Sequence, residues 1–222
     1  MLADRLLFSD GEALVIDKPA GLPVTAVRDG SLSLENHLDS LRFGFQRRPA
    51  AAHRLDRDTS GCLLLARNPR ALRRFGAAFE AGSVDKAYLA VLAWVPDAAG
   101  GVVDLPLAKV SSREAGWRMR ADPKGKAART AWRVLGQSGG LALVLFRPET
   151  GRTHQLRVHA ADGIGVPIAG DPVYGAGEAG GMLLHAWRLG VSRPGKDPIA
   201  AEAPLPERFT GLGFTAEMAG DA

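Results

Sequence analysis

Cysteine is almost missing from this chain. Cys62 is the only one in 222 residues, so an internal disulfide is excluded and no cysteine pair exists to bind zinc. Its neighbours Gly61 and Leu63-Leu64-Leu65 make it a core thiol rather than a reactive one. No apolar run approaches the length of a membrane span, and Met1-Leu2-Ala3-Asp4-Arg5 carries no secretory pattern. Histidines are few, and His154 and His159 stand five apart. On a helix that spacing is about 140°, unlike the i, i+4 pair that chelates well. No internal repeat, low-complexity tract or Ser/Gly-rich linker divides the chain. These absences predict a single domain spanning 1–222, in a reducing cytoplasm, without membrane, metal or cofactor.

With 46% hydrophobic residues the chain can bury one good core. Net charge is only +4, but it is unevenly spread. Residues 42–74 hold nine arginines against Asp56 and Asp58, a net of +7. Residues 113–133 hold seven basic residues against Glu114 and Asp122, a net of +5. Basic charge gathered in this way suits a polyanionic partner, because guanidinium forks match phosphate.

Leu14 to Asp17 reads as a strand, and Ser31 or Ser33 as the cap of a helix carrying Leu34, Leu38, Leu41 and Phe45. Asn68-Pro69 starts a helix with Leu72, Phe75 and Phe79 on one face, and Gly82 stops it. From Lys86 onward the pattern is sheet-like, with strands over 88–95, 102–105, 117–120, 130–135 and 141–146. Thr153 is placed as the N-cap of a short helix through Ala161, and 183–189 alternates as one more strand. Many strands, few helices and no regular β-α alternation predict an α+β fold with a mixed, mainly antiparallel sheet. The core spans 5–205, and the tail over 210–222 is expected to be loosely held.

The richest segment is Ala51-Ala52-His53-Arg54-Leu55-Asp56-Arg57-Asp58-Thr59-Ser60-Gly61, followed at once by the apolar run Cys62-Leu63-Leu64-Leu65-Ala66. It sets a carboxylate among arginines at the mouth of a buried strand, where it stays ionised and fixed in direction. Such a group suits a nucleophile or a base. The Asp-Thr-Ser-Gly string is not the aspartic-protease signature, since a residue separates the hydroxyl from the glycine and no second copy exists. Two later segments join it: Lys86-Ala87-Tyr88-Leu89-Ala90-Val91, and Thr150-Gly151-Arg152-Thr153-His154-Gln155-Leu156-Arg157-Val158-His159. Leu14 through Leu22, with its Lys18-Pro19-Ala20-Gly21 turn, and Gly170-Asp171-Pro172-Val173-Tyr174-Gly175 complete the set.

In this order the five blocks resemble the RluA-type pseudouridine synthase family, over residues 5–205. The resemblance implies one bent sheet crossed by a central RNA-binding cleft, and isomerisation of a specific uridine to pseudouridine in ribosomal or transfer RNA by base flipping. It implies Asp56 as nucleophile, Tyr88 as the active-site tyrosine and Arg157 as the arginine ion-paired with Asp56. It implies that Arg54 holds the extruded nucleotide, with His53, Arg152 and Lys18 as RNA or loop contacts. Asp171 and Tyr174 read as architectural. The carboxylate could attack the sugar carbon, remove a sugar proton or add to the base; the residues do not choose. The family's small N-terminal RNA-binding domain has no counterpart in this reading, so a monomeric catalytic core would recognise RNA alone. The competing reading is a non-catalytic RNA-binding module of the same fold, which would have no use for an acidic residue in a basic groove.

Overall fold

A computed structural model describes residues 2–27, 30–112, 116–177 and 180–220. Arg113 and Glu114 of the second basic segment, and the last two residues of the tail, lie outside the described residues. A 3-10 turn, Leu2–Arg5, leads into β1 (Leu6–Ser9) and β2 (Ala13–Lys18). A 3-10 helix, Leu34–Leu41, precedes β3 (Ala50–Ala51), β4 (Ser60–Ala66) and α1 (Pro69–Glu80). There follow β5 (Val84–Leu92), β6 (Gly100–Asp104), β7 (Leu107–Ser112), β8 (Gly116–Ala121), β9 (Arg129–Ser138) and β10 (Leu141–Pro148). Then α2 (Gln155–Val158) widens into a π-type turn, His159–Ile164. The chain continues through β11 (Leu184–Arg193), β12 (Lys196–Glu202), α3 (Glu207–Thr210) and α4 (Ala216–Ala219). The fold is α+β and its sheet is mainly antiparallel, as the sequence pattern predicts. Among the described residues no helix is long and apolar enough to cross a membrane.

Read from sequence as one domain, the chain divides into two compact units: Met1–Lys86 with Ala186–Pro204, and Ala87–His185 with Leu205–Ala222. In the first unit the strands run in the order β1-β2-β4-β11, with β3 beside β4 and β12 beside β11. Every residue of β2 and β4 is buried, which is why β4 reads as an unbroken apolar run rather than an alternation. Their antiparallel register sets Asp17 opposite Cys62 and Lys18 opposite Gly61. Gly61 has φ +105°, and a Cβ there would lie 2.2 Å from the Ala186 carbonyl oxygen, so only glycine lets the strands approach.

Asn68 caps α1 by accepting the Ala71 N–H at 2.9 Å, with Pro69 at the first turn. At the other end Gly82 N–H donates to Phe79 O and Ser83 N–H to Ala78 O, the pair of bonds that closes a helix through a left-handed glycine. Ala71 and Phe75 are the buried positions of α1 and enter a core with Val15, Leu64, Val84 and Ile199. Burying a phenylalanine in this way stabilises by about 1.5–3 kcal/mol. The helix expected after Ser33 is a 3-10 helix instead. Asn36 Oδ1 accepts the Ser33 N–H at 2.9 Å and its hydroxyl at 3.2 Å, which fixes the tight first turn.

In the second unit β5-β10-β9-β6 pair antiparallel in that order, and β7 and β8 form a separate two-stranded ribbon. Its core gathers Ala90, Leu92, Val144, Phe146, Leu156 and Ile168. Two sequence expectations are corrected here. The helix cap is His154 rather than Thr153, in a left-handed conformation at φ 53°. The Gln155 side chain takes over the start of the helix, accepting the Arg152 N–H at 2.9 Å and bonding the Thr150 hydroxyl at 2.8 Å. The tail expected to be loose is packed through Ala219, because Phe209 and Phe214 are fully buried and Thr215 caps α4 by accepting the Met218 N–H.

Candidate active site

Asp56, Arg54, His53 and Lys18 belong to the first unit, and Tyr88, Arg152 and Arg157 to the second. The loop carrying Asp56 is built from both its ends. Ala52 N–H donates to Leu64 O at 2.9 Å, and the Leu64 N–H donates back to His53 Nε2 at 3.0 Å. The His53 ring stacks on Phe79 of α1, with centroids 4.2 Å apart and planes 20° from parallel. Burial lowers the His53 pKa to about 3, with the nearby Lys86 ammonium acting in the same direction. The ring is therefore neutral, with its Nε2 lone pair engaged by the backbone. Helix α1 thus positions Phe79, Phe79 positions His53, and His53 holds the edge of the strand from which the loop departs.

At the loop's far end Thr59 N–H closes a turn onto Asp56 O at 3.2 Å. Lys18 clasps the same turn from below. Its ammonium donates to Pro19 O and Leu22 O at 2.8 Å and to Arg57 O at 3.0 Å, and the residue is 0% exposed. Of the two expected roles, RNA contact or loop contact, Lys18 takes the loop, since a lysine with no accessible surface cannot meet a phosphate. Three fixed carbonyl dipoles offset the burial of its charge. Asp56 itself is half-buried while Arg54 and Arg57 are exposed, so the carboxylate is displayed by a clamped backbone among arginines.

In the second unit Tyr88 lies on β5 opposite Phe146 of β10 and packs, half-buried, against that unit's core. Arg157, on α2, is buried. Its Nε and Nη2 donate to Asp171 Oδ2 and Oδ1, both at 2.7 Å, a planar two-point pair. Asp171 is fully buried and also accepts the Val173 N–H at 2.8 Å and the Tyr174 N–H at 3.1 Å. Burial pushes its carboxyl pKa up, but the Arg157 guanidinium and the two N–H groups hold it below the usual value. The Tyr174 ring lies 5.0 Å from the Arg157 guanidinium carbon. The Tyr174 hydroxyl bonds His154 Nδ1 at 2.9 Å and accepts the Met119 N–H of β8 at 3.0 Å. Asp171, read from sequence as architecture, is the residue that orients Arg157. The available signal was an aspartate followed by proline within a Gly-rich block, which predicts a carboxylate engaged with nearby N–H groups.

The other motif residues sort by exposure. Arg152 is exposed, with Nε on Ala127 O at 3.0 Å. Gln155 is buried, giving its amide to Arg129 O and the Thr130 hydroxyl. His159 bonds Thr130 Oγ1 at 2.9 Å and Leu105 O at 3.1 Å, and burial lowers its pKa against the carbonyl's opposing pull. Both are framework. Cys62 is buried with its thiol pKa pushed up to about 12, which bears out the core assignment.

The sequence profile of the RNA pseudouridylate synthase family matches residues 12–162, which include the Asp56 loop, Tyr88 and Arg157. The chain belongs to the RNA pseudouridylate synthase family. It is 61% identical over 217 residues to an uncharacterized RNA pseudouridine synthase of Zymomonas mobilis, covering 96% of this chain and 99% of that one. It is 36% identical over 225 residues to ribosomal large subunit pseudouridine synthase D of Nitrosomonas europaea, covering 94% of this chain and 64% of the relative. Among solved structures, human RNA pseudouridylate synthase domain containing 4 matches with a TM-score of 0.78 at 27% identity, over 94% of this chain and 91% of that one. The enzyme is thus an isomerase that converts uridine to pseudouridine in RNA.

Proposed function

We propose that this synthase acts on a flipped-out uridine of ribosomal or transfer RNA, with Asp56 as the group that starts the chemistry. The reading rests on one observation: the Asp56 turn is clamped by the buried Lys18 ammonium through Arg57 O, while Asp56 itself is only half-buried. A displayed acid on a fixed backbone is what a nucleophile requires. The name of the Nitrosomonas relative supports ribosomal RNA as the substrate class.

The isomerisation balances without a cofactor. The bond from N1 to the sugar carbon breaks, the base turns, and C5 joins the same carbon. The proton on C5 is lost and N1 gains one, so no electrons enter or leave. In this proposal Asp56 acts on the nucleotide, Tyr88 stacks on the base and takes the C5 proton, and Arg157, oriented by Asp171, supplies the fixed positive charge. Arg54 braces the gap left in the RNA stack, and Arg152 contacts phosphate. The proposal extends to a monomer working in the cytoplasm. Asp56→Asn should abolish pseudouridine formation in total RNA while RNA affinity stays within about twofold, well under the tenfold that corresponds to 1.4 kcal/mol. Turnover by the purified variant at a substantial fraction of the parent rate would overturn the assignment.

A further inference from the structure

The turn after the 3-10 helix Leu34–Leu41 carries a feature that folding does not explain. Phe43 adopts φ 46° and Gly44 φ 84°, two successive left-handed residues, and Phe45 N–H donates to Arg42 O at 3.0 Å. Glycine, asparagine or aspartate suits the first of these positions, whereas a bulky aromatic residue there is strained. The ring is not buried in return: Phe43 is 41% exposed and Phe45 43%. Among the described residues the Phe43 ring lies 6.0 Å from the Arg67 guanidinium carbon, at the edge of the range in which a cation attracts an aromatic face.

The turn is nonetheless rigidly built. Arg67 is buried, donates Nη1 to Arg42 O and Nη2 to Ser9 Oγ at 2.9 Å, and lies 4.0 Å from the Phe45 ring centre. Arg42 donates to Gln46 O at 2.9 Å, and Arg42 and Arg48 both pair with Asp39. Arg47, between them, is exposed. Two aromatic rings are therefore held out to solvent on a braced turn beside Arg47, an exposed residue outside the pairs with Asp39.

We propose that Phe43 and Phe45 form a stacking platform for unpaired bases of the RNA substrate, with Arg47 on the adjoining phosphate. Aromatic rings interleaved with arginines recognise single-stranded nucleic acid, since every base offers a face and every linkage a charge. A second protein chain would use the rings but not the surplus of positive charge around them. The inference rests on the reading of the chain as an RNA isomerase and extends it to how flanking single strand is held.

Phe43→Gly separates binding from folding, because glycine relieves the left-handed strain while it removes the ring. Affinity of the full-length variant for a fluorescent twelve-nucleotide oligouridylate should fall roughly five- to a hundredfold, the range for loss of one base–aromatic stack. Its melting temperature should hold or rise. The slope of log affinity against log salt should be unchanged, since no charge is lost, whereas Arg47→Gln should flatten it. Phe45→Leu should weaken oligouridylate binding in the same sense, and neither phenylalanine variant should alter affinity for a twelve-base-pair RNA duplex, whose bases are already stacked. Unchanged oligouridylate affinity in both phenylalanine variants would overturn the proposal. So would a parent chain that does not bind the oligonucleotide, or a Phe43→Gly melting temperature several degrees lower. A change from dimer to monomer on sedimentation, with RNA affinity intact, would show that the rings meet a second copy instead. Binding is read here without turnover, so its failure leaves the Asp56 assignment standing, and an active Asp56→Asn leaves the platform standing.

Discussion

Asp171→Asn removes one charge from a pair that is almost sealed from water, with side chains 6% exposed for Arg157 and 0% for Asp171. Asparagine keeps an oxygen for the Val173 and Tyr174 N–H groups but takes away the negative charge that Asp171 sets against the guanidinium. Removing one member of a buried pair costs about 3–5 kcal/mol, because the remaining buried charge loses the partner that offset its desolvation. With a urea m-value of about 2–3 kcal/mol per M, the unfolding midpoint should fall by roughly 1–2 M at pH 7. Adding Arg157→Met should recover part of that loss, since it removes the buried charge that Asp171 offset, while turnover stays absent. The pH dependence has a definite sign. Asp171 has a folded pKa below its ordinary 3.8, so its stabilisation is fully present above that value and is lost as pH falls through the folded pKa. The gap between parent and Asp171→Asn should therefore close in acid and be widest near neutrality. A variant as stable as the parent at pH 7, or a gap that persists unchanged at the acid limit, would refute the pairing argument.

Lys18→Met should destabilise by roughly 2–4 kcal/mol, since three hydrogen bonds from a buried ammonium are lost, each worth about 0.5–1.5 kcal/mol. Its salt slope for RNA binding should match the parent, whereas loss of a lysine that meets phosphate would lower the slope by about one. The His53 ring, with its pKa at about 3 when folded against 6.5 for the free residue, should show flat proton NMR shifts from pH 8 down to 5. The unfolded chain takes up this proton first, so the His53 contribution to stability falls with pH between those two values, and His53→Phe should remove that dependence.

Much of the first unit could be read locally. Asn68-Pro69, the Leu72, Phe75 and Phe79 face and Gly82 define α1 within a stretch of fifteen residues, and the structure returns those limits. The 62–66 run is a strand because no polar residue interrupts it. Among the described residues four strands escaped the pattern, and one of them, β3, is only two residues long. In β12, Lys196-Asp197-Pro198 looks like a turn, and its pairing with β11 from Arg188 to Arg193 is what makes it a strand. In β7 the sequence Leu107-Ala108-Lys109-Val110 alternates too weakly to count, and β1 is only four residues long. The site followed the same division. Asp56, Tyr88 and Arg157 stand out in motifs, but the role of Lys18 depends on Arg57 O, 39 residues away, and that of Asp171 on Arg157, 14 residues away. Convergence of that kind leaves no mark on local sequence.

Charge counting shows why composition alone overstates the footprint on RNA. The nine arginines of residues 42–74 are not equivalent. Arg67 is buried beneath Phe45, Arg42 and Arg48 face Asp39, and Arg74 pairs with Glu12 at 2.5 Å. In the second unit Arg129 reaches both Glu149 and Asp104, and Arg120 reaches Asp122. An arginine already paired with a carboxylate must break that pair or share it before it can displace counterions from phosphate, so it adds little to the salt dependence of binding. Among the described residues of the first unit, Arg47, Arg54, Arg70 and Arg73 are exposed and stand outside those pairs. Exposed arginines thus stand beside the clamped carboxylate, at Arg54, and on the aromatic turn, at Arg47, while the buried Lys18 and Arg67 fix the backbone that presents both.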